Sequence, residues 1–81
     1  MAVVYVLRSA EGLIYIGCTA DLADRLARHN DPRNRGWTKR GSGWKVVYVE
    51  EYASMKEARA REKWMKSGVG REYVQKQVAG S

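Results

Sequence analysis

The chain is 81 residues long, the size of one small domain, and an apolar content of 44% favours a folded chain over a disordered one. Fifteen Lys and Arg against nine Asp and Glu give a net charge of +6, and a small domain this basic typically binds a polyanion, most often nucleic acid. One cysteine and one histidine exclude an internal disulfide and a metal site built from several Cys or His side chains.

Two short runs rich in β-branched and aromatic residues open the chain. Val3–Leu7 and Leu13–Gly17 predict two strands, and the stretch between them predicts a tight turn, so the runs should form an antiparallel hairpin. A register with Tyr5 opposite Tyr15 would put both side chains on one face, because residues on the same face recur every second position. We therefore expect the two tyrosines to share a face.

A helix is predicted over residues 19–30, with Thr19 as its N-cap. Two leucines form its buried stripe, and Arg25 and His29 lie one turn apart beside that stripe. An arginine fork is well shaped to clamp a phosphate, and a histidine carries protons near neutral pH or makes a second phosphate contact. The alternatives are a snorkelling arginine and a structural histidine.

Residues 31–43 form a predicted loop with four basic residues, one acid and a tryptophan that we expect to be unburied. Such cations neutralise phosphates without reading sequence, and a tryptophan stacks on bases. The alternative is a solvated loop whose tryptophan folds back on the core. The residues of this loop expected to bind nucleic acid are Arg33, Arg35, Trp37, Lys39 and Arg40.

The rest of the chain predicts one more strand and two helices. Trp44–Tyr52 is strand-like, a capping box at Ser54 opens a second helix with Gly68 as its natural stop, and a short final helix is expected over Arg71–Val78. The order β-β-α-β-α-α predicts a single α+β domain over residues 1–81. Because the chain shows no long apolar run and no signal peptide, we expect it in the cytoplasm and away from membranes.

Glu62 falls inside the apolar stripe of the second helix, with Ala58 and Met65. A buried carboxylate without a partner is strongly disfavoured, so it needs a cation or strong donors. One interpretation is a salt bridge, for example to Lys66 one turn further on. The other is a single carboxylate that holds a hard divalent ion, whose remaining ligands come from water and substrate phosphate.

The two tyrosines are better explained by packing when each is taken alone. An unperturbed phenol loses its proton only near a pKa of about 10, so a catalytic tyrosine needs a cation close to its hydroxyl. Arg25 and a metal ion at Glu62 would together supply that positive charge. The combination of these residues is therefore stronger than any one of them.

These motifs resemble the GIY-YIG nucleases over nearly the whole chain. Val3-Val4-Tyr5 and Tyr15-Ile16-Gly17 stand at the two signature motifs. Arg25 stands in the place of the family's catalytic arginine, His29 at a further active-site position, and Glu62 in the place of the metal-binding glutamate. The resemblance includes the N-terminal nuclease domain of the excision-repair endonuclease, but the basic loop with Thr38 and the Lys66-Ser67-Gly68 ending are most similar to small stand-alone bacterial members.

The resemblance implies a three-stranded antiparallel sheet flanked by helices and hydrolysis of DNA phosphodiester bonds that depends on Mg²⁺ or Mn²⁺. It implies Tyr5 or Tyr15 as general base toward water, Arg25 on the scissile phosphate and Glu62 on the metal, which acts as a Lewis acid at the leaving oxygen. His29 joins this site, and Thr38 and Lys66 join the nucleic-acid contacts. DNA, branched or damaged DNA included, is the expected partner in repair or recombination, and RNA stays open as a second substrate.

The chain also departs from the family in three places. Val3 replaces the glycine of the first motif, Cys18 stands where some members have a lysine, and no asparagine follows Asn34, although excision-repair members have one. These departures predict cleavage that is weak, structure-directed or dependent on a partner. Two other functions stay open: a module that binds nucleic acid without cutting it, and an adaptor whose basic loop binds an acidic protein.

Overall fold

A computed structural model describes residues 1–33 and 36–79 of the chain. Arg35, predicted to bind nucleic acid, lies outside the described residues, as does the side chain of Trp37, so both assignments stay predictions. The elements, in chain order, are β1 (Ala2–Arg8), β2 (Ile14–Thr19), α1 (Leu22–Asn30), a 3₁₀ turn (Trp37–Arg40), β3 (Lys45–Tyr52), α2 (Met55–Met65) and α3 (Gly68–Ala79). The predicted order β-β-α-β-α-α and the α+β class are confirmed.

The three strands form one antiparallel sheet in the order β2-β1-β3. Tyr5 pairs with Gly17 and Tyr15 pairs with Leu7, so the predicted pairing of the two tyrosines is wrong by two residues. The cause is the turn, in which the Ser9 amide donates to the Leu13 carbonyl at 2.9 Å and thereby delays the start of β2. A slip of two residues preserves the face of every side chain, so both tyrosines still lie on the same face.

The central position of β1 explains why its residues are the most buried of the sheet. On one face Val4 and Val6 pack with residues of α2 and α3. On the other face Tyr5 and Leu7 pack with Trp44 and are covered by α1. Within the described ranges no helix is both long enough and apolar enough to cross a membrane.

The helix caps follow the predicted chemistry with one shift. The N-cap of α1 is Asp21, whose side chain accepts from the Asp24 amide at 3.0 Å, and not Thr19. Thr19 ends β2, and its hydroxyl accepts from the Asp21 amide at 3.1 Å, because the strand continues two residues further than predicted. Ser54 caps α2 as predicted by accepting from the Glu57 amide at 3.2 Å.

Helix α3 is longer than predicted, since it begins at Gly68 and not at Arg71. Gly70 is buried inside it, and a Cβ atom there would lie 1.9 Å from the carbonyl oxygen of Trp64 and 2.6 Å from the Cα of Met65. Gly68, which was predicted to stop α2, instead begins α3, because α2 already ends at Met65. Gly70 allows the first turn of α3 to cross the end of α2 at backbone contact distance.

Glu50 connects β3 to α2. Its carboxylate accepts from the hydroxyls of Tyr48 and Tyr52 and from the guanidinium of Arg61, whose Nε lies at 2.9 Å. Burial by itself would raise the pKa of Glu50, but these donors outweigh burial and lower it to about 2. Because Arg61 precedes Glu62 in the helix, this ion pair also fixes the rotation of α2 that turns Glu62 toward β2.

Candidate active site

A cluster of two tyrosines and a histidine occupies the face of the sheet that α1 covers. The hydroxyl of Tyr5 lies 3.0 Å from Nε2 of His29. The ring centroids of Tyr5 and Tyr15 are 6.1 Å apart, and those of Tyr15 and His29 are 4.7 Å apart. Tyr5 is fully buried and Tyr15 is half-buried, so Tyr15 is the member of the pair that reaches the surface.

The imidazole of His29 is held from both sides. Its Nδ1 lies 2.9 Å from the hydroxyl oxygen of Thr38. Burial, and then the positive charge of Arg25, lower the pKa of His29, so the ring is neutral at pH 7, with one nitrogen that donates and one that accepts. When Nδ1 donates to Thr38, Nε2 is the acceptor for the Tyr5 hydroxyl. We expected Thr38 to contact nucleic acid, but it is 2% exposed and its hydroxyl instead orients His29.

Gly17 leaves the space that the Tyr5 hydroxyl occupies. A Cβ atom at this position would lie 2.7 Å from the Tyr5 hydroxyl oxygen and 2.9 Å from Cε2 of Tyr15. Sequence reasoning placed this glycine in a motif but did not assign it this steric role. The signal for it is indirect, since the register that brings Tyr5 against Gly17 is a property of the folded hairpin.

Charged groups from two helices act on the buried phenol. Burial is the main cause that raises the pKa of Tyr5, followed by the neighbouring Tyr15. The positive charge of Arg25 lowers this pKa, and the negative charge of Glu62 raises it. Arg25 and Glu62 are therefore both near enough to Tyr5 to change its ionisation, although one belongs to α1 and the other to α2.

Glu62 reaches the sheet from the opposite face, at the strand β2. Its Oε1 accepts from the thiol of Cys18 at 2.9 Å, and its Oε2 accepts from the ammonium of Lys66 at 2.6 Å. Burial opposes ionisation of Glu62, but the bonds from Cys18 and Lys66 outweigh it, so its pKa is lowered. Cys18 and Gly17 are neighbours in β2, so the carboxylate and the tyrosine cluster approach the same short segment of the edge strand from its two faces.

Burial, and then the contact with Glu62, raise the pKa of Cys18 to about 11. The thiol therefore stays protonated at neutral pH and acts as a donor to the carboxylate. The residue that replaces the lysine found in some GIY-YIG nucleases thus supplies a neutral hydrogen bond in place of a positive charge.

Comparison with known proteins identifies the family. Residues 1–74 match the GIY-YIG catalytic domain. The chain belongs to the GIY-YIG family. UPF0213 proteins are among its relatives: that of Streptococcus pneumoniae serotype 4 is 37% identical over 65 residues, which cover 80% of this chain and 66% of the relative. That of Bacillus pumilus is 36% identical over 58 residues, which cover 72% of this chain and 59% of the relative.

A UPF0213 protein of Clostridium perfringens is 32% identical over 66 residues, which cover 82% of this chain and 71% of that relative. The chain spans less than two thirds of the length of the Streptococcus and Bacillus relatives. No solved structure matches it significantly. The names of these relatives state no reaction, so the activity of this GIY-YIG domain has to be inferred from its site.

The GIY-YIG domain offers one carboxylate for a metal ion. The described residues contain no group of three or more His, Cys, Asp or Glu side chains that could surround a metal. Glu62 nevertheless fits a hard divalent ion, because Mg²⁺ often takes only one or two protein carboxylates and completes its shell with water and phosphate oxygens. The ammonium of Lys66 lies 2.6 Å from Oε2, so the position beside this oxygen is accessible to a cation.

The remaining predicted residues of the GIY-YIG domain lie at its surface. Arg25 is half-buried on α1, and no carboxylate in the described part of the chain pairs with it. Arg33 is exposed but is held by Asp31 at 3.1 Å, whereas Lys39 and Arg40 are exposed on the 3₁₀ turn. The structure thus brings Tyr5, Tyr15 and His29 together and sets Arg25 and Glu62 close enough to act on Tyr5. Of the loop cations, Lys39 lines a small pocket together with His29.

Proposed function

We propose that this GIY-YIG domain is a DNA endonuclease that hydrolyses phosphodiester bonds and depends on Mg²⁺ or Mn²⁺. The observation that carries the proposal is the hydrogen bond between the buried Tyr5 hydroxyl and Nε2 of His29, at a tyrosine whose pKa responds to both Arg25 and Glu62. A purely structural tyrosine does not need a neutral imidazole as its partner. A tyrosine that acts as a base and must pass on a proton needs such an acceptor beside it.

Each side chain has a role that its position supports. Tyr15 reaches the surface, so it is the tyrosine that meets the attacking water: its hydroxyl takes the proton of the water and gives its own proton to the hydroxyl of Tyr5, with which it is hydrogen-bonded. Tyr5 lies beneath it, and Nε2 of His29 is placed to accept a proton from Tyr5 while Thr38 holds the other nitrogen. Arg25, which has no carboxylate partner in the described ranges, binds the scissile phosphate.

Glu62 would hold the metal ion, and the thiol of Cys18, which donates to Oε1, keeps the orientation of the carboxylate. The bound ion supplies Lewis-acid stabilisation of the leaving oxygen. Lys66 has to leave Oε2 for this to happen, and a substrate phosphate is a suitable new partner for its ammonium. The exposed cations at Arg33, Lys39 and Arg40 neutralise phosphates farther along the nucleic acid.

A second function is favoured by the salt bridge between Lys66 and Glu62. The ammonium neutralises the carboxylate that is proposed to hold the metal ion, and the thiol of Cys18 adds no positive charge beside it. A domain that keeps this salt bridge when DNA binds would be a nucleic-acid-binding module without cleavage.

A nicking assay separates the two functions. Supercoiled plasmid and branched DNA are incubated, in the presence of Mg²⁺ or Mn²⁺, with the wild type or with one of the variants Glu62→Gln and Glu72→Gln. Glu72 is an exposed glutamate of α3, so Glu72→Gln is the matched control. We expect the wild type and Glu72→Gln to cut, and Glu62→Gln to lose roughly 100-fold in rate while it still binds DNA. A wild type that binds but does not cut with any substrate or metal supports the binding module. Undiminished cutting by Glu62→Gln would show that the metal assignment is wrong.

The tyrosine assignment is tested in the same assay with Tyr5→Phe and Tyr15→Phe. We expect both to slow cleavage, because each removes one hydroxyl from the proposed proton path. If Tyr15→Phe cuts at the wild-type rate while Tyr5→Phe does not, Tyr5 is the base and Tyr15 only packs against it.

A further inference from the structure

A groove of about 830 Å³ separates the edge strand β2 from helix α3. β2 pairs with β1 on one side only, because it is the first strand in the order β2-β1-β3. α3 packs against α2 and β3 and turns one helical face toward the groove. The outer backbone groups of β2 therefore border the groove, with no strand of the described residues beside them.

The outer edge of β2 lacks the protection that sheet edges usually carry. Its residues, Ile14–Thr19, include no charged side chain and no proline. The other edge, β3, carries Lys45, Glu50 and Glu51. Natural proteins protect exposed edges with charges, prolines or a covering element, because an unprotected edge pairs readily with another extended chain. The β2 edge is thus suited to accept an additional strand.

The charges around the groove favour an acidic partner. Arg8, Lys66 and Arg71 are exposed cations that line it, and no Asp or Glu of the described residues does so. Arg8 and Arg71 form no salt bridge in the ranges that the structure describes. A second copy of this chain would bring the same cations against them, whereas an acidic chain is electrostatically complementary.

The walls of the groove favour a peptide over a nucleic acid. Ile14 and Ile16 line it from β2, and Val74 and Val78 line it from α3. Single-stranded nucleic acids are usually held by aromatic side chains that stack on the bases. Among the described residues, Tyr15 is the one aromatic lining residue, and its ring belongs to the histidine cluster. Aliphatic walls instead match the alternate side chains of an extended peptide.

We propose that this groove binds an extended acidic segment of a partner protein, which adds to β2 as a further strand and inserts alternate apolar side chains between β2 and α3. Tyr15 and Lys66 line the groove and also belong to the candidate active site. The bound segment therefore lies directly beside that site. It holds the domain on its partner through a surface to which the described loop cations Arg33, Lys39 and Arg40 do not contribute.

The test uses a fluorescein-labelled short peptide that alternates valine with glutamate. We expect saturable binding in fluorescence anisotropy, with amide shift changes in ¹⁵N spectra confined to Ile14–Thr19 and α3. The double variant Arg8→Gln/Arg71→Gln should weaken binding by about 5- to 10-fold, as expected for two screened ion pairs. The matched variant Lys56→Gln/Lys63→Gln, with two exposed lysines of α2 replaced, should bind like the wild type.

Three control measurements decide whether the peptide is the occupant. The same peptide N-methylated at alternate residues should not bind, and equal binding would overturn strand addition. An oligothymidylate that shifts the same β2 amides and displaces the peptide would make the groove a nucleic-acid path. If sedimentation shows dimers that form as the protein concentration rises, and the same amide chemical shifts change with them, the occupant of the groove is a second copy of the chain. None of these results depends on nuclease activity, so the proposed function is tested separately.

Discussion

The substitution Gly17→Ala tests the packing of the tyrosine cluster. The new methyl carbon would lie 2.7 Å from the hydroxyl oxygen of Tyr5, 2.8 Å from its Cζ and 2.9 Å from Cε2 of Tyr15. Non-bonded carbon atoms are most favourable at about 3.5–4.0 Å, so the rings must move by roughly 0.7 Å or more. Tyr5 has little room for this movement, because it is fully buried and its hydroxyl bonds His29 at 3.0 Å.

The structure sets the size of the expected effect. Forcing a methyl group into a closely packed core costs about 1–3 kcal/mol, and each kcal/mol lowers the Tm of a domain of this size by roughly 4–8 °C. A movement of Tyr5 away from His29 by about 0.7 Å would lengthen their hydrogen bond past roughly 3.6 Å, at which it is no longer a hydrogen bond. We therefore expect cleavage to fall by about 100-fold, as is typical when a catalytic group is misplaced by about 1 Å.

Thermal unfolding followed by circular dichroism measures the loss of stability, with Gly68→Ala as matched control. A Cβ atom at Gly68 would have no atom within 4 Å, so this variant should keep the wild-type Tm or exceed it by restricting the unfolded chain. The imidazole resonances of His29 report on its bond to Tyr5. If Gly17→Ala melts with the wild type and leaves those resonances in place, Tyr5 does not pack against Gly17 as described.

Three further outcomes follow from individual contacts. Glu50→Gln should lower the free energy of unfolding by about 1–3 kcal/mol at neutral pH. Because the pKa of Glu50 is lowered to about 2, its contribution to stability is present above pH 4.5 and is lost as the pH falls toward 2. In denaturant unfolding, the stability of the variant should therefore fall less steeply than that of the wild type as the solution is made acidic. Lys66→Met removes the cation from Oε2 of Glu62, so Mn²⁺ should bind up to about 5-fold more tightly in calorimetry, whereas Lys63→Met should bind it like the wild type. The pKa of His29 is lowered below 6.5 in the folded chain, so on acidification the unfolded chain binds a proton at His29 before the folded chain does. The free energy of unfolding should therefore fall as the pH drops through 6.5. His29→Gln should not show this dependence of stability on pH.

The contrary results are equally specific. An unchanged acid limb in Glu50→Gln would show that its tyrosine and arginine partners do not hold the carboxylate in the folded state. Weaker Mn²⁺ binding by Lys66→Met would mean that Lys66 supports the metal site and does not compete with it. A pH slope that survives in His29→Gln would have to come from other titrating groups, since His29 is the one histidine of the chain, and His29 would then not be the cause of the slope.

The edge strand β2 connects the proposed reaction with the proposed docking. Gly17 and Cys18 meet the tyrosine cluster and Glu62 from its two faces, and the outer side of the same strand borders the groove. A peptide strand added to β2 would therefore restrain the segment against which the site is built. Binding of a partner at β2 would therefore affect the site directly, which gives a physical reason for the weak or partner-dependent cleavage expected from the sequence.

The sequence by itself determined the order of the elements and the faces on which the two tyrosines and Glu62 lie. Strand alternation and helix periodicity are local properties, so they survive errors in the ends of elements. The two tyrosines share a face although their register was wrong by two residues, and Glu62 lies in the stripe of α2 as its spacing predicted.

Only the tertiary structure decided which of these side chains meet. The bonds from Tyr5 to His29 and from Cys18 to Glu62 join residues 24 and 44 positions apart, and such contacts depend on how helices settle on the sheet. The sequence gives no reason for a glycine at position 70, because the role of Gly70, the close approach of α3 to Trp64, exists only after packing. The groove beside β2 has no sequence signal for the same reason: it is the space left where α3 packs on its neighbours and not on the edge strand.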